Sequence, residues 1–278
     1  MSERRLKIAG VQIAPRTDLE KSLKKAVSLV ELSAERGAKI ICLPQLFSLR
    51  WFANVIDQKN FERAETEDGP TISSMKKLAR RLGVILIAPI FEKDDKGYFN
   101  TAFVIGRDGL VIGKYRKVHV PQLPLWEERS YFSPGDMGFP VFTTPYGKLG
   151  IQLCWDVFFP EGARILALKG AQIIFAPTAS AFFHSHKKWE RAICSAAHAN
   201  GVFIFRVNRV GAEERQEFYG RSFCAGPDGE FVERPCGKSE GIALVTIDLD
   251  DISSVRGDWV FLKDRRPSLY KELTKEQG

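Results

Sequence analysis

Cys154 is the residue of this sequence best placed to act as a nucleophile. The run LGIQLC at residues 149–154 predicts a buried strand, and a helix is predicted from about residue 160. In sheets built from alternating strands and helices, the loops after the strand ends carry the reactive groups. A thiol at such a point could attack a carbonyl carbon. A free cysteine is also commonly a core residue, so the position alone leaves both interpretations open.

Three further polar side chains could assist such a thiol. Lys117 lies within GKYRKVHVP, in a predicted strand whose alternation places Tyr115, Lys117 and His119 on one face. Gln45 closes the short buried strand of LPQLF, and Glu128 follows in the loop WEERSYFSPGD. Each has a plainer interpretation: a lysine on an edge strand, an amide satisfied at a strand end, and a solvent-exposed carboxylate. Residue type alone therefore assigns no role to any of the three.

The hydrophobic pattern alternates helices with strands and predicts an α/β fold with mixed sheets. Helices are predicted at about 19–36, 71–82, 160–169 and 184–199, and strands at about 6–13, 39–45, 84–92, 99–106, 110–120, 141–144, 149–154, 171–179, 202–210, 218–225 and 241–249. No linker of low complexity interrupts these elements. We therefore expect one domain over residues 1–278, with a polar C-terminal arm from about residue 252.

The composition argues against several classes of protein. The net charge is +7, but the charges are scattered along the chain, so nucleic-acid binding is not expected. No apolar run reaches the ~18 residues that cross a bilayer, and no targeting segment precedes the first strand. The five cysteines are odd in number and form no CxxC pair, which indicates free thiols in a reducing compartment. A cytoplasmic protein without membrane partners is the expectation.

No metal or organic cofactor is expected from the sequence. His184 and His186 form an HxH pair and His198 follows, but no carboxylate stands near them at ligand spacing. The glycine-rich phosphate signatures GxGxxG and GxxxxGKS/T do not occur. Any chemistry would then rest on thiol, ammonium and carboxylate groups.

Seven short motifs occur in one order along nearly the whole chain, from about residue 6 to 250. They are LPQLF, FE with FNTA downstream, GKYRKVHVP, YFSPGD, GIQLCWDVFFPE, FAPTA and FYGRSFCAGPDGE. Each motif is weak by itself, but the ordered set resembles the nitrilase superfamily of carbon–nitrogen hydrolases. Asp156 in CWD, where true nitrilases often have a glutamate, favours the amidase and N-carbamoyl-amine hydrolase branches.

The resemblance implies a fold and a set of site residues. The family fold is a four-layer α–β–β–α sandwich with two mixed sheets, and it usually forms a homodimer or a larger homo-oligomer. Cys154 matches the family's nucleophile, Lys117 its lysine and Glu128 its second glutamate, with Glu127 as the alternative if the register is off by one. The thiol of Cys154 would attack an amide carbon, a thioester would form, and water would complete hydrolysis.

Gln45 departs from the family pattern, which has a general-base glutamate at this position of the LPELF motif. Glutamine has nearly the same shape but no titratable group, so the resemblance implies an inactive or very slow enzyme. The glutamine is either an engineered replacement or a natural change in a protein that binds without turnover. The first is favoured, because the other motif positions are intact.

The resemblance also suggests which groups contact the substrate, a small amide or an N-carbamoyl amine. The backbone N–H of Trp155 would be an oxyanion donor, and Ala179 of FAPTA would lie against the substrate. Aromatic residues follow the motifs, among which Trp126 and Phe182 are expected to line the pocket; the plainer reading is ordinary core packing. The further aromatic candidates are Trp51, Phe52, Phe183 and Trp189. A catalytically silent ligand-binding protein and a nitrile hydrolase remain the alternative functions.

Overall fold

The computed structural model describes residues 5–275 and arranges them in strands and helices that alternate along the chain. The helices are α1 Leu19–Glu35, α2 Pro70–Leu82, α3 Pro160–Leu168, α4 His186–Asn200 and α5 Asp250–Asp258. The strands are β1 Arg5–Gln12, β2 Ile40–Cys42, β3 Ile85–Asp94, β4 Gly97–Ile105, β5 Val111–Arg116, β6 Phe142–Thr144, β7 Gly147–Ile151, β8 Ile173–Thr178, β9 Phe203–Asn208, β10 Val210–Glu213, β11 Gln216–Tyr219, β12 Phe223–Ala225 and β13 Gly241–Asp248.

Two mixed sheets form the centre of the molecule. The six-stranded sheet has the order β13-β1-β2-β3-β4-β5, and the five-stranded sheet has the order β12-β9-β8-β7-β6. In the first sheet β1, β2 and β3 are parallel and the outer strands are antiparallel. In the second, β7, β8 and β9 are parallel and the two edges are antiparallel. A separate antiparallel pair, β10 and β11, connects β9 to β12.

The two sheets pack face to face, and each carries helices on its outer face. Alternate residues of β1 divide between the faces: Ile8 joins the core between the sheets, while Ala9 packs with α1 and α2. The sheets approach each other closely at Gly10, where an added Cβ would lie 2.7 Å from a methyl carbon of Val207 on β9. Helix α3 packs on β7, since Leu166 lies directly over Gly150. The predicted four-layer α–β–β–α sandwich is confirmed.

The helix boundaries follow from local sequence. The side chain of Asp18 accepts a hydrogen bond from the backbone N–H of Lys21 at 2.9 Å and thereby caps α1. Pro70 begins α2, where its missing N–H is not needed, and Gly83 ends that helix in the left-handed region. Helix α5 begins with Asp250 and Asp251, whose carboxylates favour the N-terminal end of a helix. This helix occupies the beginning of the segment predicted as a polar arm.

Three predicted strands are shorter than their sequence patterns suggested, and all three differences concern candidate residues. Strand β2 ends at Cys42, so Gln45 lies in the turn beyond it and does not close the strand. Strand β5 ends at Arg116, so Lys117 lies just beyond it and not inside a strand. The N–H of His119 is taken by the Asp156 carboxylate at 2.9 Å, which leaves it unavailable to a neighbouring strand. Strand β7 ends at Ile151, three residues before Cys154.

The predicted strand at 218–225 is wrong in its centre. The chain there turns between β11 and β12, because Gly220 and Arg221 both adopt positive φ, 64° and 54°. Backbone in this region cannot continue a strand. Among the described residues, no helix combines the length and the apolar character required to cross a membrane.

Candidate active site

Cys154 lies at the start of a 3-10 turn, Cys154–Phe158, three residues after the end of β7. Its φ is +51°, a left-handed backbone conformation that residues with a Cβ rarely adopt. Only 4% of its surface is exposed. The buried carboxylate of Asp156 holds this turn. It accepts hydrogen bonds from the N–H of Leu153 at 2.8 Å and from the hydroxyl of Tyr115 at 2.7 Å. The cysteine is therefore presented by a tightly bonded backbone.

Lys117 and Glu128 form a buried ion pair. The Lys117 Nζ lies 2.5 Å from Glu128 Oε2, and neither side chain has exposed surface. The plainer interpretations of both residues, a lysine on a solvated edge and an exposed loop carboxylate, are therefore wrong. Glu128 makes the contact because it begins a 3-10 turn that points its side chain inward. Its neighbour Glu127 is instead hydrogen-bonded by the side chain of Gln122.

Gln45 lies in the same buried group. Its side chain has no exposed surface, and its Nε2 donates to Glu128 Oε2 at 3.4 Å. Its other side-chain atom, Oε1, has no hydrogen-bond partner among the described residues. Gln45 thus donates to the carboxylate that also holds Lys117, and it presents an amide oxygen that is free to accept.

The electrostatics of this group follow from burial and charge. Burial raises the pKa of the Cys154 thiol above its usual value, although the Lys117 ammonium lowers it and the backbone N–H of Ala179 also favours the anion. Burial would lower the pKa of Lys117, but the negative charge of Glu128, and that of Cys154 when its thiol ionises, raise it, so the lysine is an ammonium ion. Burial likewise raises the pKa of Glu128 against the opposing effect of Lys117. A neutral thiol beside a fixed ammonium is the resting arrangement at neutral pH.

Comparisons with known proteins identify the family to which the chain belongs. The model of the carbon–nitrogen hydrolase family matches residues 7–257. The chain belongs to this family. An N-carbamoylputrescine amidase from Solanum lycopersicum is 38% identical over 98% of this chain and 95% of its own. The crystal structure of a carbon–nitrogen hydrolase from Helicobacter pylori G27 has a TM-score of 0.95 and 34% identity, covering 99% of this chain and 100% of that one.

A third relative is a variant of the amidase from Nesterenkonia sp. AN1 in which glutamine replaces a glutamate, and the active-site cysteine of that protein carries the acetamide moiety of fluoroacetamide. That structure is 26% identical with a TM-score of 0.82 and covers 96% of each chain. The resemblance to the nitrilase superfamily is thus confirmed.

Three of the four groups expected to contact substrate lie together in this carbon–nitrogen hydrolase, namely Trp126, Ala179 and Phe182, and the backbone N–H of Ala179 faces the thiol of Cys154. The indole Nε1 of Trp126 donates to the carbonyl oxygen of Ala179 at 3.4 Å, and the ring of Phe182 packs edge-on against Trp126 with centroids 5.3 Å apart. Phe182 is 38% exposed and has a φ of 63°, so it stands at the surface in a strained conformation. Trp155 follows Cys154 directly and packs against Phe158.

The remaining aromatic candidates divide between this region and the core. The ring centroids of Trp51 and Trp126 are 6.5 Å apart, so Trp51 extends the pair formed by Trp126 and Phe182. These three rings are called the aromatic wall below. Phe52 packs on Phe91 and Tyr131 in a buried cluster to which Trp51 also belongs. Trp189 is buried against Phe158.

Two charged residues close to the nucleophile of this carbon–nitrogen hydrolase were not predicted as site residues. The sequence indicated Asp156 only as part of the motif CWD, whereas in the structure its carboxylate accepts the hydrogen bond that holds the turn at Cys154. Arg206, on β9, has 1% of its surface exposed and interacts electrostatically with Cys154. An arginine within the apolar strand FIFRVN was the available signal. Within residues 5–275, no three His, Cys, Asp or Glu side chains are grouped to hold a metal ion.

Proposed function

We propose that this chain hydrolyses the C–N bond of a small amide or N-carbamoyl amine, with Cys154 as the nucleophile and a thioester as the intermediate. The observation that carries the proposal is the single buried group formed by Cys154, Lys117, Glu128 and Gln45, in which Gln45 and Cys154 come from segments far in sequence from the Lys117–Glu128 pair. A buried ion pair next to a thiol is an expensive arrangement for stability alone, since removing two charges from water is unfavourable. A catalytic role explains why it is present.

The proposed chemistry proceeds in two half-reactions. The sulfur of Cys154 bonds to the carbonyl carbon while the thiol proton passes to a water molecule, and the ammonium of Lys117 and the N–H of Trp155 stabilise the oxyanion. The tetrahedral intermediate then breaks its C–N bond, and the leaving nitrogen takes a proton back from that water, so that an amine or ammonia departs and a thioester remains. A second water attacks the thioester, the C–S bond breaks, one proton of that water restores the thiol, and the carboxylic or carbamic acid is released. Glu128 keeps Lys117 charged and oriented throughout.

Gln45 limits the rate in this proposal. The proton of the thiol needs an acceptor and the leaving amine needs a donor, and a glutamine amide titrates as neither. Loss of a general base typically lowers a rate by about 10²–10⁴-fold. Gln45 retains the geometry of the site, because its amide still bonds to Glu128. We propose that this chain binds its substrate and forms the thioester only slowly.

The substrate class is inferred from the relative and from the aromatic wall. The Solanum lycopersicum relative is an N-carbamoylputrescine amidase, which supports an N-carbamoyl amine as the substrate here. Trp126 and Phe182 would pack against the apolar part of such a molecule, while the planar carbamoyl group meets Cys154. A small apolar chain next to a carbamoyl or carboxamide group is therefore the proposed substrate type.

Gln45 also favours a second candidate function, that of a ligand-binding protein without turnover. Such a protein would have the same pocket and would be stabilised by the same ligands, but it would release no ammonia even with a carboxylate at position 45. The two candidates therefore differ in the behaviour of a single variant.

The experiment compares ammonia release by the unchanged chain and by Gln45→Glu across N-carbamoyl amines, carboxamides and one aryl nitrile with its amide. We expect the variant to be faster by about 10²–10⁴-fold on at least one amide or carbamoyl substrate. Gln172→Glu, a glutamine-to-glutamate change outside the site, should leave the rate unchanged. Adding Cys154→Ala to Gln45→Glu should abolish the activity. Silence of Gln45→Glu across the panel, with ligand-induced thermal stabilisation retained, would support the binding protein instead.

We also propose that the protein is a cytoplasmic homodimer or larger homo-oligomer, as the family resemblance implies. Exposed apolar side chains at Leu168 and Leu273 border an open groove between α3, α4 and the C-terminal segment, and they support an interface there. Light scattering coupled to size exclusion will give the oligomeric state. A monomer at micromolar concentration would contradict this part of the proposal.

A further inference from the structure

Arg206 is a buried guanidinium close to the nucleophile that has no part in the chemistry proposed above. It lies on β9 with 1% of its surface exposed, between the rings of Trp189 and Tyr219, with the guanidinium carbon 4.9 Å and 5.3 Å from their centroids. The carboxylate of Glu190, which interacts electrostatically with Arg206, forms its ion pair with Arg221 instead. No described carboxylate forms an ion pair with Arg206, and its Nε has no hydrogen-bond partner among residues 5–275.

A chain of hydrogen bonds leads from Arg206 to the backbone beside the thiol. Its Nη2 donates to the hydroxyl of Tyr219 at 3.0 Å, and that hydroxyl lies 3.0 Å from the Oγ of Ser180. Ser180 follows Ala179, whose N–H faces the sulfur of Cys154. A shift of the guanidinium would therefore be transmitted to the group that contacts the sulfur.

Two more hydrogen bonds of Arg206 hold the turn that follows Tyr219. Its Nη1 donates to the carbonyl oxygens of Gly220 and Arg221, at 3.3 Å and 3.2 Å, in the left-handed turn that follows Tyr219. Asn208, two residues further along β9, accepts from the N–H of Ser180 at 2.8 Å and donates to the carbonyl of Gly220 at 2.9 Å. Strand β9 therefore supports both the Ala179–Ser180 segment and the turn that carries Tyr219.

The positive charge of Arg206, like these contacts, favours the thiolate form of Cys154. A buried arginine without a carboxylate partner has lost its hydration and gained no counterion, which is unfavourable in the resting protein. Its positive charge lowers the pKa of Cys154, and the thiolate in turn raises the pKa of Arg206. The counterion that Arg206 lacks is thus supplied when the thiol ionises.

We propose that Arg206 is a positioning residue for Cys154: through Tyr219 and Ser180 it holds the Ala179 N–H against the sulfur, and it adds a second fixed positive charge beside Lys117. The inference rests on the proposed function, because it concerns the reactivity of the proposed nucleophile. The second charge matters more here than in a site with a general base, since Gln45 accepts no proton.

The test is the pH dependence of alkylation of Cys154 by iodoacetamide, followed by mass spectrometry of the peptide that contains it. This readout needs no turnover and no known substrate. We expect Arg206→Met to move the midpoint of the profile up by about one pH unit, which makes labelling below the midpoint about tenfold slower. Arg206→Lys keeps the charge and should move the midpoint by less than half as much.

The matched control is Arg256→Met, which removes another arginine that donates to backbone carbonyls, those of Asn200 and Gly201. Its midpoint should equal that of the unchanged chain. Equal midpoints in folded Arg206→Met and the unchanged chain would overturn the proposal. If Arg206→Met does not fold, Tyr219→Phe decides: a raised midpoint supports the hydrogen-bond chain, and an unchanged one overturns it.

Failure of the underlying function would look different. If Cys154 of the unchanged chain were not labelled at any pH, the cysteine would not be a usable nucleophile, and the inference about Arg206 would be lost with the proposed function. If the unchanged chain is labelled but Gln45→Glu releases no ammonia, the function fails while the labelling profiles still decide the role of Arg206.

Discussion

The ammonium of Lys117 lies 2.5 Å from Oε2 of Glu128, and neither side chain is reached by solvent. Each residue is the counterion of the other, and without its partner each charge would be buried and unpaired. The same carboxylate oxygen also receives the amide of Gln45. Glu128 therefore joins the lysine and the glutamine of the site, and changes at any of these positions should affect the other two.

Breaking this pair should be strongly destabilising. Glu128→Gln leaves a buried ammonium without a counterion, and loss of one partner from a buried pair typically costs about 3–5 kcal/mol. The free energy of unfolding from urea denaturation measures this. The double variant Lys117→Met with Glu128→Gln removes both charges and should lose less stability than the sum of the two single changes. Additive losses would contradict a direct interaction.

Cys154 should be alkylated ahead of the other four thiols, and its labelling rate should rise with pH. Burial raises the pKa of Cys154, so the thiol is mostly protonated at neutral pH and the thiolate increases as the pH rises. Lys117 opposes this shift, whereas the pKa values of Cys42 and Cys236 are raised by burial with no opposing cation. Burial and nearby acids raise the pKa of Cys194 to about 11.

Peptide mapping after limited iodoacetamide treatment between pH 6 and 9 will rank the five thiols. The variant Lys117→Met should move the Cys154 profile to higher pH, because it removes the cation that favours the thiolate. Equal labelling of all five cysteines would count heavily against Cys154 as the nucleophile.

The left-handed backbone of Cys154 should make glycine more favourable than alanine at this position. At ordinary positions alanine is the more stabilising of the two, but a φ of +51° costs a residue with a Cβ about 1–2 kcal/mol. We therefore expect Cys154→Gly to unfold at a higher urea concentration than Cys154→Ala. The reverse order would mean that the turn relaxes when the sulfur is removed.

Trp126 and Phe182 should contribute to ligand binding as a pair. Their rings meet edge-on at 5.3 Å, and such pairs contribute about 0.5–1.5 kcal/mol beyond their buried area. Replacing each with alanine should weaken the affinity for N-carbamoyl amines and amides, measured by calorimetry, with a coupling of that size in the double variant. Phe261→Ala, which changes an exposed ring in the C-terminal segment, is the control. Unchanged affinity for all ligands would exclude the aromatic wall as a pocket.

Much of the fold could be predicted because local patterns and tertiary packing agree. The apolar spacing of α1 and the alternation along β1 follow directly from the face that each element buries. The predictions failed where a side chain far away in sequence makes the hydrogen bond that the backbone would otherwise make within a strand. The chain after Arg116 looks like a continued strand until the Asp156 carboxylate captures the N–H of His119.

The sequence by itself determined the chemical types present and their order: a cysteine after a strand, a lysine, a glutamate, and a glutamine where the family has a glutamate. Only the tertiary structure decided which of them meet. Gln45 and Glu128 are 83 residues apart and hydrogen-bonded, and Glu128 rather than Glu127 faces Lys117. The physical reason is that burial and charge pairing depend on packing between sheets and loops. No local sequence pattern indicates that a carboxylate is buried beside an ammonium, or that Arg206 interacts with the thiol of Cys154.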